Sequence, residues 1–102
     1  MIVRVATFAP MTPEIEAEAR RNMRERFKPA LASQPGLIAA YWTSAKDGHW
    51  VSITTWESEE AMERGGATAN ATQLLPGQDP EKIPSPERME VLTVMEHVHN
   101  RL

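Results

Sequence analysis

Two runs rich in β-branched and aromatic residues lie on either side of Asp47-Gly48, and this pattern restricts the fold more than any other in the chain. An Asp-Gly dipeptide between two such runs is typical of a β-hairpin. If Asp47-Gly48 forms a two-residue turn, Tyr41 lies opposite Thr54 and the rest of the pairing follows. A turn that differs by one residue would exchange the faces of the hairpin.

The two-residue turn predicts one mostly apolar face and one face that mixes aromatic side chains with hydroxyl groups. The expected apolar face comprises Ile38, Ala40, Trp42, Ser44, Val51, Ile53 and Thr55. The expected mixed face comprises Leu37, Ala39, Tyr41, Thr43, Trp50, Ser52, Thr54 and Trp56. Neither face has the polarity of one that stays exposed to solvent, so we expect both to be covered.

A strand and a long helix are predicted before the hairpin. Ile2–Phe8 is typical of a strand, with Val3, Val5 and Thr7 on one face. A helix begins at Thr12-Pro13, where a hydroxyl cap precedes a proline at the first helical position. Pro29 is expected to kink or stop this helix, since proline lacks the backbone N–H group that a helix uses.

A second helix, a proline-rich loop and a last strand are predicted after the hairpin. Ser58 caps the helix, and Gly65-Gly66 is expected to interrupt it, because each glycine costs about 1 kcal/mol relative to alanine. A further short helix is expected over Ala67–Leu75. The prolines of Pro76–Pro86 indicate a loop, and Arg88–Val98 has the alternation of a strand.

The order strand, helix, strand, strand, helix, strand predicts a ferredoxin-like α+β fold with an antiparallel sheet, formed by residues 1–102 as a single domain. Right-handed crossovers place the first and third strands in the middle of the sheet. Both helices then cover one face and leave the other uncovered. Because the uncovered face is rich in apolar residues, we expect a homodimer in which two sheets pack face to face as a dimeric α/β barrel.

Composition excludes several classes of function. The chain has no cysteine, which excludes disulfides, thiolate zinc sites and a cysteine nucleophile. Its formal net charge of −3 gives no reason to expect nucleic acid or membrane as a partner. The opening apolar run is too short for a membrane span and is unlike a signal peptide, so a cytoplasmic location is expected.

The segment Val51–Ala61, VSITTWESEEA, preceded by Pro35-Gly36-Leu37, resembles the dimeric α/β-barrel family that includes the antibiotic-biosynthesis monooxygenases. The resemblance implies a cofactor-independent oxygenase that acts on an aromatic or quinol-type substrate in a pocket between sheet and helices. The alternative is a non-catalytic dimer that binds a small ligand or serves a stress-related role. The substrate-binding candidates are Trp56, Tyr41, Thr7, Trp42, Thr54 and Asn70, and no catalytic residue is assigned.

The resemblance also bears on cofactors. In the heme-degrading branch, the ligating histidine lies in or just after the second helix, where this chain reads GGATANATQLL without a histidine. The pocket asparagine of that branch falls near Thr7, which is not an asparagine. His97 and His99 share one face of the last strand, but no third ligand accompanies them. We therefore expect neither a cofactor nor a metal.

Overall fold

An antiparallel sheet forms the centre of the molecule, for which a computed structural model describes residues 1–100. Its four strands are β1 (Ile2–Phe8), β2 (Leu37–Ser44), β3 (Trp50–Trp56) and β4 (Arg88–Thr93), in the order β2-β3-β1-β4. The first and third strands occupy the middle, as right-handed crossovers require. The ferredoxin-like α+β prediction is confirmed.

The hairpin between β2 and β3 has a three-residue loop, so the predicted two-residue turn is wrong. Ala45 N–H donates to the His49 carbonyl oxygen (2.8 Å), and Gly48 N–H donates to the Ala45 carbonyl oxygen (3.0 Å). Gly48 has φ +92°, the left-handed residue that closes a loop of this length. The extra residue pairs Tyr41 with Ile53 instead of Thr54. The faces of β2 are therefore exchanged relative to those of β3.

The first helical segment bends into a π-helical turn before its proline. Helix α1 (Pro13–Arg21) is capped by Thr12, whose Oγ1 accepts from Ile15 N–H at 3.3 Å. Residues Asn22–Phe27 are π-helical, and α2 (Lys28–Ala32) then resumes the α-helix. Pro29 cannot donate to a preceding carbonyl group, and the wider turn lies directly before it. The chain is deformed there but not stopped.

Helix α3 (Glu59–Asn70) runs without a break through Gly65-Gly66, so the predicted interruption is wrong. Its start is as expected, since Ser58 Oγ accepts from Ala61 N–H at 3.1 Å. A Cβ atom on Gly65 would lie 2.5 Å from Cζ3 of Trp56. The glycine lets the helix pack directly on that ring, and this packing outweighs the low helix propensity of glycine.

The chain returns to the sheet through a proline-rich segment, residues 76–86, which contains a short 3₁₀ turn at Pro80–Lys82. Strand β4 ends at Thr93, so the strand predicted to reach Val98 is too long. The reason is that β1 begins at Ile2, which pairs with Thr93, and leaves no partner strand beyond. None of the helices in residues 1–100 combines the length and apolarity that a membrane span requires.

The helices cover one face of the sheet, and the core lies between the two layers. Its buried cluster comprises Leu31, Trp56, Ala61, Met62 and Ala69. Within residues 1–100, no helix packs on the opposite face of the sheet. Strand pairing assigns to this uncovered face Val3, Val5, Thr7, Ala39, Tyr41, Thr43, Val51, Ile53, Thr55, Arg88, Glu90 and Leu92.

Candidate functional site

A cavity of about 290 Å³ lies between the sheet and the first helical segment, beside the core cluster. Its walls are mainly aromatic and aliphatic, with a few polar groups. The lining residues are Arg4, Ala6, Phe8, Met11, Ala19, Asn22, Met23, Arg26, Phe27, Leu31, Trp42, Trp50, Ser52, Thr54, Trp56, Gly66, Asn70, Ile83, Pro84, Pro86 and Met89. All three tryptophans of the chain are among them. Apolar walls with few polar groups are typical of sites for small aromatic molecules.

Trp56 forms a fixed wall of the cavity. Its side chain is only 1% exposed, and its indole Nε1–H donates to Thr54 Oγ1 at 2.9 Å. Helix α3 holds the other side of the ring at Gly65. Thr54 and Trp56 lie two residues apart on β3, so the alternation of a strand directs both toward the helices. Strand geometry and helix packing together fix the orientation of the indole.

Four of the six residues predicted for substrate binding meet in this cavity. Trp42, Thr54, Trp56 and Asn70 line it, whereas Tyr41 and Thr7 lie on the uncovered face of the sheet. The three-residue loop accounts for Tyr41, because the corrected register moves it to the side of Ile53. Thr7 alternates with the cavity residues Ala6 and Phe8, so it points to the other side of β1. Tyr41 and Thr7 are therefore separated from this cavity by the sheet.

A polar cluster closes the end of the cavity nearest the π-helical turn. Arg26 Nη1 donates to Asn22 Oδ1 (3.1 Å), and its Nη2 donates to the carbonyl oxygens of Asn70 (3.0 Å) and Thr72 (2.9 Å). Gln78, which is buried, donates from Nε2 to the same Asn22 Oδ1 at 2.8 Å. The Nε atom of Arg26 is buried without a partner among the described residues. The cluster ties the first helical segment, the end of α3 and the proline-rich segment together.

The π-helical turn supplies a large share of the lining. Four of its six residues, Asn22, Met23, Arg26 and Phe27, face the cavity. A regular α-helix has a narrower turn that would present fewer neighbouring side chains to one side, and π-helical turns occur often at functional sites. Pro29 was the available signal in the sequence, but it indicates only that the helix is disturbed.

Arg4 is a cavity residue that the sequence reasoning did not single out. It lies near the middle of β1, opposite Thr54 on β3 and Val91 on β4, on the helix-covered face. Its Nη2 donates to Met89 Sδ at 3.1 Å. The signal that could have revealed it is a charged residue within an otherwise apolar central strand, where both faces of the sheet were expected to be covered.

The proline-rich segment (residues 76–86) forms the outer edge of the cavity through Ile83, Pro84 and Pro86. Lys82 Nζ pairs with Glu14 Oε1 on α1 (2.5 Å), and Arg21 Nη2 donates to the Pro76 carbonyl oxygen (2.8 Å). The hydrogen bond and charge of Lys82 lower the pKa of Glu14, and the carboxylate in turn raises the pKa of Lys82. These two contacts join the proline-rich segment to α1, one at the first residue of the segment and one near its centre.

Within residues 1–100, the lining lacks the side chains that usually act as general acids or bases. This described lining contains no histidine, cysteine, aspartate, glutamate, lysine or tyrosine. The rings of His97 and His99 lie 5.0 Å apart beyond the end of β4, outside the cavity, and residues 1–100 contain no cluster suited to a metal ion. The site can bind, orient and exclude water, and it offers hydroxyl, amide and guanidinium groups as hydrogen-bond partners.

The fold is ferredoxin-like α+β, with a cavity between the sheet and the helices. Residues 1–69 match the model of the family described as antibiotic biosynthesis monooxygenase. The chain belongs to this family, and the resemblance carried by the segment around Trp56 is confirmed. No curated protein sequence matches the chain.

Three solved structures with the same fold are two oxygenases and a protein with manganese protoporphyrin IX bound. A monooxygenase from the gene ActVA-Orf6 of Streptomyces coelicolor, in complex with nanaomycin D, is 20% identical, with TM-score 0.69 over 98% of this chain and 92% of that one. SnoaB, a cofactor-independent oxygenase from Streptomyces nogalater, is 20% identical, with TM-score 0.64 over 97% of each chain. MhuD, with two manganese protoporphyrin IX per active site, is 14% identical, with TM-score 0.72 over 98% and 100%. At these identities the likeness establishes the shared fold.

Proposed function

We propose that this protein is a small, cofactor-independent monooxygenase that oxidises a phenol- or quinol-type aromatic substrate in the cavity beside Trp56. The observation that carries the proposal is the grouping of all three tryptophans around one cavity in a chain of the monooxygenase family. Indole walls stack on flat aromatic molecules, and Ser52, Thr54 and Asn70 can orient their oxygen atoms. A monooxygenase of the same fold that binds nanaomycin D and a cofactor-independent oxygenase of the same fold support the proposed activity.

The reaction needs no external reductant. A phenol that reacts with O₂ gives a quinone and water: one oxygen atom enters the ring, the other leaves as water, and the substrate supplies all the electrons. The phenol must first lose a proton, and its anion is the electron-rich species that reacts with oxygen. Because the described lining contains no side-chain base, the proton passes to water and the cavity holds the resulting anion in place.

The lining does not fit a heme group. Heme iron in proteins is held by histidine, cysteine, tyrosine or a methionine–histidine pair. Among residues 1–100 the lining contains none of the first three, and its methionines have no histidine beside them. The heme-degrading reaction is therefore not proposed for this chain.

Oxygen uptake with a panel of hydroquinones and polycyclic phenols tests the proposal, with ¹⁸O₂ labelling of the product as the second readout. Trp56→Phe replaces the indole with a smaller ring, which enlarges the cavity and removes the hydrogen bond to Thr54. We expect about a tenfold to hundredfold loss of kcat/KM, because the substrate is then misplaced. Tyr41→Phe is the matched control: it changes an aromatic residue on the other face of the sheet and should retain activity.

A second candidate function is a non-catalytic binding protein with the same cavity. The observation in its favour is the lack of acid–base groups in the described lining. This alternative predicts that aromatic compounds bind in the cavity without any oxygen uptake across the panel. Incorporation of ¹⁸O into a product, lost in Trp56→Phe, would exclude it.

We further propose that the uncovered sheet face packs against a second copy of the chain. Val5 and Ile53 pair at its centre, and Tyr41 (59% exposed) and Leu92 (47% exposed) extend the apolar surface toward both edges. Apolar surface of this kind meets a partner in most soluble proteins, and two-fold symmetry is the commonest closed arrangement. Light scattering at micromolar concentration should give about twice 11.4 kDa, and a mass of one chain would contradict the proposal.

A further inference from the structure

The cavity is positively charged although the chain as a whole is acidic. The chain has a formal net charge of −3, yet its described cavity lining contains two arginines, Arg4 and Arg26, and no carboxylate. Low-dielectric walls focus the field of the charges that line a cleft. The cavity therefore favours an anion over a neutral molecule of the same shape.

The two arginines differ in how their donors are used. Arg26 donates from both Nη atoms to Asn22 and to two backbone carbonyl groups, so only its buried Nε has no partner among the described residues. Arg4 forms no ion pair within residues 1–100, and its one hydrogen bond runs to the sulfur of Met89. A thioether is a weak acceptor. Most donors of the Arg4 guanidinium remain available to a ligand.

Gly66 leaves the space that the Arg4 guanidinium occupies. A Cβ atom at this position of α3 would lie 3.0 Å from Arg4 Nη1. The guanidinium thus lies between the central strand β1 and the helix above it, with Thr54 as its neighbour on β3. Arg4 is half-buried at this position and lines the cavity together with Thr54 and Trp56.

We propose that Arg4 is the specificity-determining residue of the cavity and that it binds a carboxylate on the aromatic ligand. The inference rests on the proposed function, for which it narrows the substrate class to phenols or quinols that also carry a carboxylate. A guanidinium pairs with a carboxylate through two parallel hydrogen bonds, which fixes both the position and the orientation of the ligand. A cavity of about 290 Å³ is at the small end for ligand sites and suits two fused rings.

Calorimetric titration with naphthoate and with the neutral naphthylmethanol tests this inference. The two probes share their ring system and differ in the charge of one substituent. Wild type should bind naphthoate about tenfold or more tightly than the alcohol, the range expected of a hydrogen bond to a charged group. Arg4→Gln should lose this preference and bind the two probes with similar affinities.

Arg64→Gln provides the matched control, since it removes the same charge from an exposed position on α3 outside the cavity lining. It should keep the preference for naphthoate. Arg4→Lys keeps the charge without the paired hydrogen bonds and should show an intermediate preference; it also replaces Arg4→Gln should that variant not fold. Equal affinities in wild type, a preference that survives Arg4→Gln, or no binding of either probe would overturn the inference.

These binding measurements involve no oxygen, so the inference can fail separately from the proposed function. Oxygen uptake with neutral quinols and equal binding of the two probes would refute the role of Arg4 and leave the oxygenase intact. Preference for naphthoate without turnover of any compound, including phenols and quinols that carry a carboxylate, would refute the oxygenase and retain the anion site.

Discussion

Gly65 lies against the ring of Trp56 with no room for a methyl group. A Cβ atom there would come within 2.5 Å of Cζ3 and 2.6 Å of Cη2, and the indole is too buried to move away. Overpacking of this kind costs about 1–3 kcal/mol. We therefore expect Gly65→Ala to lower the free energy of unfolding by that amount in urea titrations, despite the better helix propensity of alanine.

The neighbouring glycine provides the comparison. A methyl group on Gly66 would meet only Nη1 of Arg4, the far end of a flexible side chain, at 3.0 Å. The gain of about 1 kcal/mol in helix propensity should offset the displacement of Arg4, so Gly66→Ala is expected to change stability by less than about 1 kcal/mol. Equal gains in stability in the two variants would mean that helix propensity, not the contact with Trp56, governs this part of α3.

At the scale of single residues, the sequence indicated aromatic residues of the cavity but not its charge. Trp42, Thr54 and Trp56 all line the cavity, although the predicted two-residue turn placed Trp42 on the opposite face from the other two. Arg4 could not be assigned to the cavity, since a single charge in a short strand does not reveal whether its head lies in a cavity or at a sheet edge. That distinction depends on Gly66, which is remote in sequence.

Among the elements, the proline-rich segment is the one whose attachment depends on pH. The pKa of Glu14 is lowered by Lys82, so the carboxylate stabilises the attachment above its ordinary pKa of 4.5 and loses this effect as the pH falls through the lowered value. The pKa of Lys82 is raised, so its contribution is present below 10.5 and is lost as the pH rises through the raised value. The ion pair is complete between these limits.

Glu14→Gln should loosen the proline-rich segment at neutral pH. We expect hydrogen-exchange protection of residues 76–86 to fall by up to about fivefold, since an ion pair exposed to solvent contributes little. As the pH is lowered below 4.5, the protection of residues 76–86 in the wild type should fall toward that of Glu14→Gln. The protection in Glu14→Gln should change little at the same pH values. Glu16→Gln, which breaks the Glu16–Arg20 pair on the same helix, is the control and should leave the segment protected.

The order and type of the elements could be predicted from periodicity and caps, but two details could not. The length of the hairpin loop depends on Gly48, whose left-handed conformation is compatible with two- and three-residue loops alike. The continuity of α3 through Gly65-Gly66 depends on a contact with Trp56 on another element. Local propensity does not include such tertiary contacts, and these details decide which side chains enter the cavity.

For the whole molecule, the central test of the proposed dimer is a charge on the uncovered face. Ile53 lies on a central strand between Val5 and Tyr41, so Ile53→Lys would bury an unpaired ammonium group in the middle of the interface. We expect light scattering to report 11.4 kDa, the mass of one chain, with an unchanged circular dichroism spectrum. A variant that kept twice this mass would exclude this face as the interface. Lys46→Ala, at the exposed hairpin tip, should keep the mass of wild type.

The grouping of every tryptophan around one cavity gives the protein an optical property of its own. Trp42, Trp50 and Trp56 line the cavity, and the sole tyrosine, Tyr41, lies on the other side of the sheet. Selective excitation of indole therefore produces emission from the cavity walls alone. A quinone that enters accepts energy or an electron from these rings, so occupancy dims the emission of the whole molecule. Arrival of a ligand and release of a product become visible without a label.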